Sequence, residues 1–137
     1  MMQVKMKWLD GLKFQGRSAF NHLVLTDVPK KSGGDEAGPK PTELLLFGMA
    51  SCAGVDVVRI MEKSRQKLES LEIEVIAHQD EEYPKPFHTI ELKFTASGKD
   101  LDERKLARAI ELSEDKYCVV SQTIVNETKL TTSFEIK

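Results

Sequence analysis

Two cysteines, Cys52 and Cys118, are the residues of this 137-residue chain best suited to chemistry. Thiol chemistry on a peroxide needs three things. A thiolate must attack the peroxide oxygen, because the neutral thiol is a poor nucleophile. A cation or a hydrogen-bond network must hold the pKa of that thiolate down. A second thiol must then condense with the resulting sulfenic acid before further oxidation destroys it. Cys52 falls in the most apolar stretch of the chain, where burial alone raises a thiol pKa, so reactivity there requires a positive partner. Cys118 follows one expected helix and precedes a short apolar segment, a place near a helix N-terminus that favours thiolate character. A disulfide between them would close a long loop and restrict the unfolded chain by roughly 4 kcal/mol. Spacing alone does not bring the two together. Two free, inert, packed cysteines are the alternative reading in a reducing compartment.

The other candidate groups are weaker. His22, His78 and His88 are scattered over expected strands, and no Cys/His spacing of the zinc type occurs, so no metal is expected. Asp56 and Arg59 lie one turn apart on an expected helix, either as a surface pair or lining a pocket at a subunit interface. Glu81-Glu82 and Glu114-Asp115 read as solvated faces. Met49 and Met61 read as core filler.

The elements that must position the cysteines follow from periodicity. Val4, Met6 and Trp8 alternate with lysines, Leu12 and Phe14 alternate with polar residues, and Phe20 to Thr26 is a third extended run. Turns are expected at Asp10-Gly11 and around Gly16-Arg17-Ser18. Pro29 to Pro41 reads as a mobile loop. Thr42 to about Gln66 reads as a long helix, with Pro41 and Thr42 at its start and Glu43 complementing the helix dipole. It is apolar nearly all round, which implies burial on all sides. Its small residues Gly48, Ala50, Ser51, Ala53 and Gly54 invite close packing of a second helix, its own symmetry mate included. Two strands, around Leu71 to His78 and Ile90 to Thr95, flank a polar turn at Asp80 to Pro86. A second helix is expected from about Leu101 to Ser113, with an Asp100-x-x-Glu103 capping box. The short segment through Val125 precedes a last strand, Lys129 to Ile136. The fold class is α+β with a largely antiparallel sheet, in one domain covering 1–137.

Composition excludes several classes. The chain is 40% apolar and 31% charged, ordinary for a globular protein, and its net charge of −2 with dispersed Lys and Arg argues against a nucleic-acid footprint. The longest uncharged apolar run, Leu44 to Val55, is too short to span a bilayer. No apolar leader opens the chain. A cytoplasmic protein without membrane or nucleic-acid partners is expected.

The run Pro41-Thr42-Glu43-Leu44-Leu45-Leu46-Phe47-Gly48-Met49-Ala50-Ser51-Cys52 resembles the central-helix motif of the OsmC/Ohr family of thiol-dependent peroxidases, and Tyr117-Cys118-Val119-Val120-Ser121 resembles its second motif, Cys-x-Val-Ser. Motif order, spacing and element order agree over essentially the whole chain. The resemblance implies an intertwined homodimer with central helices back to back and active sites at the interface. It implies Cys52 as peroxidatic and Cys118 as resolving cysteine, with an Arg and a Glu activating the thiolate. Arg17 matches the family's N-terminal Arg, and a guanidinium suits the role. It implies organic or fatty-acid hydroperoxides as substrates, reduction by an external dithiol of the lipoyl type, a role in oxidative-stress defence, and no metal or bound organic cofactor. The acid departs from the pattern. The family has Glu directly after Pro, where this chain has Thr42, and Glu43 comes one residue later. In a regular helix Glu43 and Cys52 are about two and a half turns apart, on opposite faces. That departure favours a divergent branch, whose alternative function is binding a small apolar ligand or sensing oxidants with little turnover.

Overall fold

The structure is a computed structural model, and it describes residues 1–125, 130, 131 and 133. The fold is α+β, and every strand pair among the described residues is antiparallel. Contacts divide the chain into two compact units, Met1–Phe47 and Gly48–Lys137. The expected final strand, Lys129 to Ile136, lies largely outside the described residues.

The first unit is a three-stranded meander, β1 (Met6–Trp8), β2 (Phe14–Arg17) and β3 (Leu23–Thr26). The turn expected at Gly16-Arg17 is instead inside β2, where Gly16 pairs with Met6 on one side and Val24 on the other. The physical reason is space. A Cβ on Gly16 would meet the Lys5 carbonyl oxygen at 2.6 Å, so the glycine serves close strand approach. The reversal comes later, where Asn21 takes φ 66° and its N–H donates to the Ser18 carbonyl. The segment after β3 is built around Asp27, which is fully buried. Its carboxylate accepts from the backbone N–H groups of Val28, Asp35 and Ala37 at 2.8 to 3.0 Å. These bonds, led by that from Ala37, hold its pKa below the usual carboxylate value. A loop expected to be mobile is thus tied to one buried carboxylate.

α1 (Pro41–Lys63) begins as its residues dictate. Proline stands at the first helical position, where its missing N–H costs nothing. Glu43 Oε2 accepts from the Lys40 N–H at 2.9 Å, half of a capping box. The helix ends with Arg65 at φ 58° and a bond from the Gln66 N–H to the Met61 carbonyl, a Schellman closure. Only Met49, Ala53, Val57 and Met61 are buried along it, so within one chain α1 hides a single row rather than all faces. By length and mean hydropathy, 1.8, α1 meets what a bilayer needs despite Asp56 and Arg59. Its buried row nevertheless serves the chain's own core.

In the second unit β4 (Ser70–Gln79) and β5 (Phe87–Ser97) form one long hairpin. α2 (Glu103–Leu112) is capped by Asp102, whose side chain accepts from the Arg104 N–H, and not by Asp100, which takes φ 55°. Val57 and Met61 of α1 meet Ala109 of α2 to form the buried nucleus, and Ile60, Leu71, Phe94, Leu106 and Ile110 pack against it. Ala109 is small enough to let the two helices approach. α2 runs directly into a π-helical turn, Ser113–Tyr117, and then α3 (Val119–Val125). The wide turn places Cys118 at the head of α3.

Candidate active site

Helix geometry puts Asp56 one turn beyond Cys52 on the same face of α1. α2 and the π-turn deliver Cys118 to that face. The Sγ atoms of Cys52 and Cys118 and a carboxylate oxygen of Asp56 all lie within 4.8 Å of one another. Both cysteines are free thiols. Their environments differ. Cys52 is half-buried, whereas Cys118 is fully buried.

Ser113 holds this arrangement together. It is fully buried, and its Oγ donates to Asp56 Oδ2 at 3.1 Å while its carbonyl accepts from the Cys118 N–H at 2.8 Å. One residue thus fixes both the carboxylate and the second cysteine. That double duty depends on the π-turn, a helix distortion frequent at functional sites. Cys118 caps α3. Its Sγ accepts from the Ser121 N–H at 3.4 Å. Burial pushes the Cys118 thiol up from its ordinary value, and the neighbouring Cys52 adds to that. The Ser121 hydroxyl and N–H pull the other way without overcoming burial. The helix start is therefore present, but desolvation outweighs it.

A second polar layer backs the turn. Ser121 Oγ donates to Glu114 Oε2 at 2.9 Å, and Gln122 Nε2 donates to the Glu114 carbonyl. Glu114 Oε1 is buried with no hydrogen-bond partner among the described residues. Glu114 is thus half-buried structure, not the solvated face its sequence suggested, because the π-turn rotates it inward. Asp115 is exposed, as expected.

The other expected site residues belong to the first unit. Arg17 ends β2, and its Nη1 donates to the Asn21 side chain at 3.0 Å and to the Asn21 carbonyl at 3.2 Å. Glu43 caps the start of α1 and also pairs with Lys40. Sequence reasoning placed both cysteines. It missed Asp56 as their neighbour, although a four-residue helical spacing from Cys52 announces it. Ser113 and Ser121 carried no such signal.

Of the openings beside α1 in the second unit, two bear on the site. One, of about 500 Å³, is lined by Asp56, Arg59, Ile60, Leu112 and Tyr117 among others. The other, about 530 Å³ and mostly apolar, is lined by Ala50, Val55, Val58, Leu71 and Ile73, with Arg59 at its edge. Asp56 and Arg59 make no ion pair with each other within the described residues, and both line the first opening.

The chain is thus an α+β protein with antiparallel strand pairs, a long helix and two thiols brought together from distant positions. The OsmC-like protein family model matches residues 33–133. The protein YhfA of Escherichia coli K12 is 38% identical over 135 residues, 98% of each chain. The chain belongs to the OsmC/Ohr family. Among solved structures, a hypothetical protein of Aquifex aeolicus superposes with a TM-score of 0.80 at 31% identity, over 100% of this chain and 96% of that one. A Legionella pneumophila protein described as an organic hydroperoxide resistance protein shares the fold, with a TM-score of 0.64 at 15% identity over 90% of each chain.

Proposed function

We propose that this protein has a redox role in peroxide handling, and specifically that it is a dithiol peroxidase acting on organic hydroperoxides in oxidative-stress defence. The observation that carries the reading is the meeting of a half-exposed and a fully buried thiol beside one carboxylate. Cys52, the more accessible, attacks the outer peroxide oxygen as thiolate. The O–O bond breaks, the alcohol leaves with a proton, and Cys52 becomes a sulfenic acid. Cys118 then attacks that sulfur, water leaves, and the Cys52–Cys118 disulfide forms. An external dithiol of the lipoyl type returns both thiols. Asp56, held by Ser113, is the carboxylate of the site in this reading, and Glu43 keeps its capping role. Arg17 is the candidate cation for the Cys52 thiolate. A reducing compartment such as the cytoplasm suits a pair that must start reduced.

A second reading has one observation behind it. The apolar opening beside α1, with Arg59 at its edge, suits a small apolar ligand carrying a negative group. The protein would then bind that ligand or sense oxidants with little turnover.

The test is to treat the reduced protein with one equivalent of cumene hydroperoxide and map thiols by non-reducing peptide mass spectrometry. A rapid Cys52–Cys118 disulfide, lost in Cys52→Ser, supports the peroxidase. Thiols that stay free while a control peroxidase is oxidised end that reading. Apolar-probe binding that survives Cys52→Ser then supports the second.

A further inference from the structure

The reduced site gathers three groups that become anions, two thiols and a carboxylate, inside 4.8 Å. No Lys or Arg pairs with Asp56 among the described residues, and no cation stands among the influences on the Cys118 thiol. Among the described residues the Asp56 carboxylate takes its hydrogen bond from a neutral hydroxyl, that of Ser113. Two soft sulfur donors and one hard oxygen within reach of one another are the donor set of a thiophilic divalent cation.

From this geometry we infer that the reduced protein binds one divalent cation of the zinc class on Cys52 Sγ, Cys118 Sγ and Asp56, leaving a fourth position open to water. Tetrahedral zinc holds two sulfurs about 3.8 Å apart and a sulfur and an oxygen about 3.5 Å apart, so closing this cluster on an ion takes side-chain movements of about 1 Å. Ser113 supplies the outer contact that orients the carboxylate, as such ligands require. Linear spacing hid the site, because its ligands come from one helical turn of α1 and from the far end of a π-turn. The inference does not depend on peroxide turnover, since it needs only the reduced thiols.

The site would exclude its own oxidised form. When the two cation-bound thiolates give two electrons to a hydroperoxide, two protons are taken up, a disulfide, an alcohol and water form, and the cation is released. Metal and disulfide are therefore alternative occupants of the same sulfurs. Bound zinc would slow oxidation of the pair, and oxidation would expel zinc.

The experiment uses the full-length protein, reduced and stripped of metal by a chelator. It is titrated with Co²⁺, and with Zn²⁺ against a chromophoric chelator. The expected result is one ion per chain, a thiolate-to-cobalt charge-transfer band, and proton release on binding. The same protein oxidised to the disulfide should show neither the band nor tight zinc binding, a comparison that needs no variant to fold. Cys52→Ser and Cys118→Ser should each weaken zinc by at least about 100-fold, more than loss of an outer-shell partner costs. Asp56→Asn keeps an acceptor for Ser113 and should weaken zinc while circular dichroism stays unchanged. Absence of the charge-transfer band in the reduced protein would overturn the inference. So would zinc affinity equal in the reduced and disulfide forms, or unchanged in both serine variants.

Discussion

Cys118 is held as a thiol by its surroundings, and that gives the site a pH signature. Burial raises its pKa from the ordinary 9.0, against the pull of Ser121. In the peroxidase reading Cys118 must attack as thiolate, so single-turnover disulfide formation should accelerate with rising pH and still be climbing at 9.0. Ser121→Ala removes the hydroxyl that lowers the pKa and should move the profile to still higher pH. Quenched-flow mass spectrometry measures both, and a plateau below neutrality would contradict the assignment. Stability follows the same sign. A raised folded pKa means that the native state keeps its proton longer than the unfolded chain. The contribution is therefore complete below 9.0 and disappears as pH rises through the raised value, and Cys118→Ser should flatten that alkaline decline. Ser113 makes a separate prediction. Ser113→Ala removes the hydroxyl that donates to the Asp56 carboxylate and should cost about 1–3 kcal/mol in denaturant unfolding. It should also slow disulfide formation, because Asp56 and Cys118 lose their shared anchor.

At the scale of elements, β2 shows how a glycine can be misread. Gly16-Arg17-Ser18 carries turn chemistry, yet Gly16 sits mid-strand because the Lys5 carbonyl passes where a side chain would stand. Gly16→Ala should therefore push β1 from β2 and cost about 1–3 kcal/mol by thermal unfolding. A neutral or stabilising result would show that β1 is not seated as described. The same contrast runs through the chain. The β4–β5 hairpin and α1 were legible because apolar spacing with period two or near-continuous apolarity survives in the folded structure. The two cysteines stood out as a pair through their motifs, whose order brought the fold with it, and the structure sets their sulfurs near one another. Asp56 was legible in principle, from one helical turn of spacing, but a neighbour was sought at Arg59 instead. The π-turn was not legible. No residue pattern marks an i to i+5 turn, so Ser113 and the inward Glu114 emerge only when α2 is seen to widen before Cys118. The Asp27 loop was hidden for a similar reason. Its order comes from three backbone N–H groups, which are the same in any sequence.

At the scale of the whole molecule, one chain leaves too much apolar surface in water. Phe47, Val55 and Val58 of α1 are 60%, 48% and 46% exposed, and no residue of β4 or β5 is fully buried. The buried cluster that α1 and α2 share among the described residues is small, Val57, Met61 and Ala109. A helix this apolar, with one row covered, calls for a surface against its remaining faces, and contiguous exposed apolar area marks such an interface. The proposal is a homodimer in which a second copy lies along α1. Gly48 suits it, since no atom of the described residues approaches within 4 Å of where its Cβ would be. Light scattering after size exclusion should give about twice the 15.5 kDa chain mass. Val58→Arg puts a charge on the exposed apolar face without touching the cysteines, Asp56 or the buried nucleus. It should convert the dimer to monomer and lower the melting temperature, while a chain that was always monomeric would keep both its mass and its stability. A dimer that persists in Val58→Arg and dissociates only when β4 or β5 is charged would move the interface from the helix to the hairpin. A lone monomer at micromolar concentration would instead leave the apolar opening beside α1 free for a ligand, and the second functional reading would gain the weight that the dimer lost.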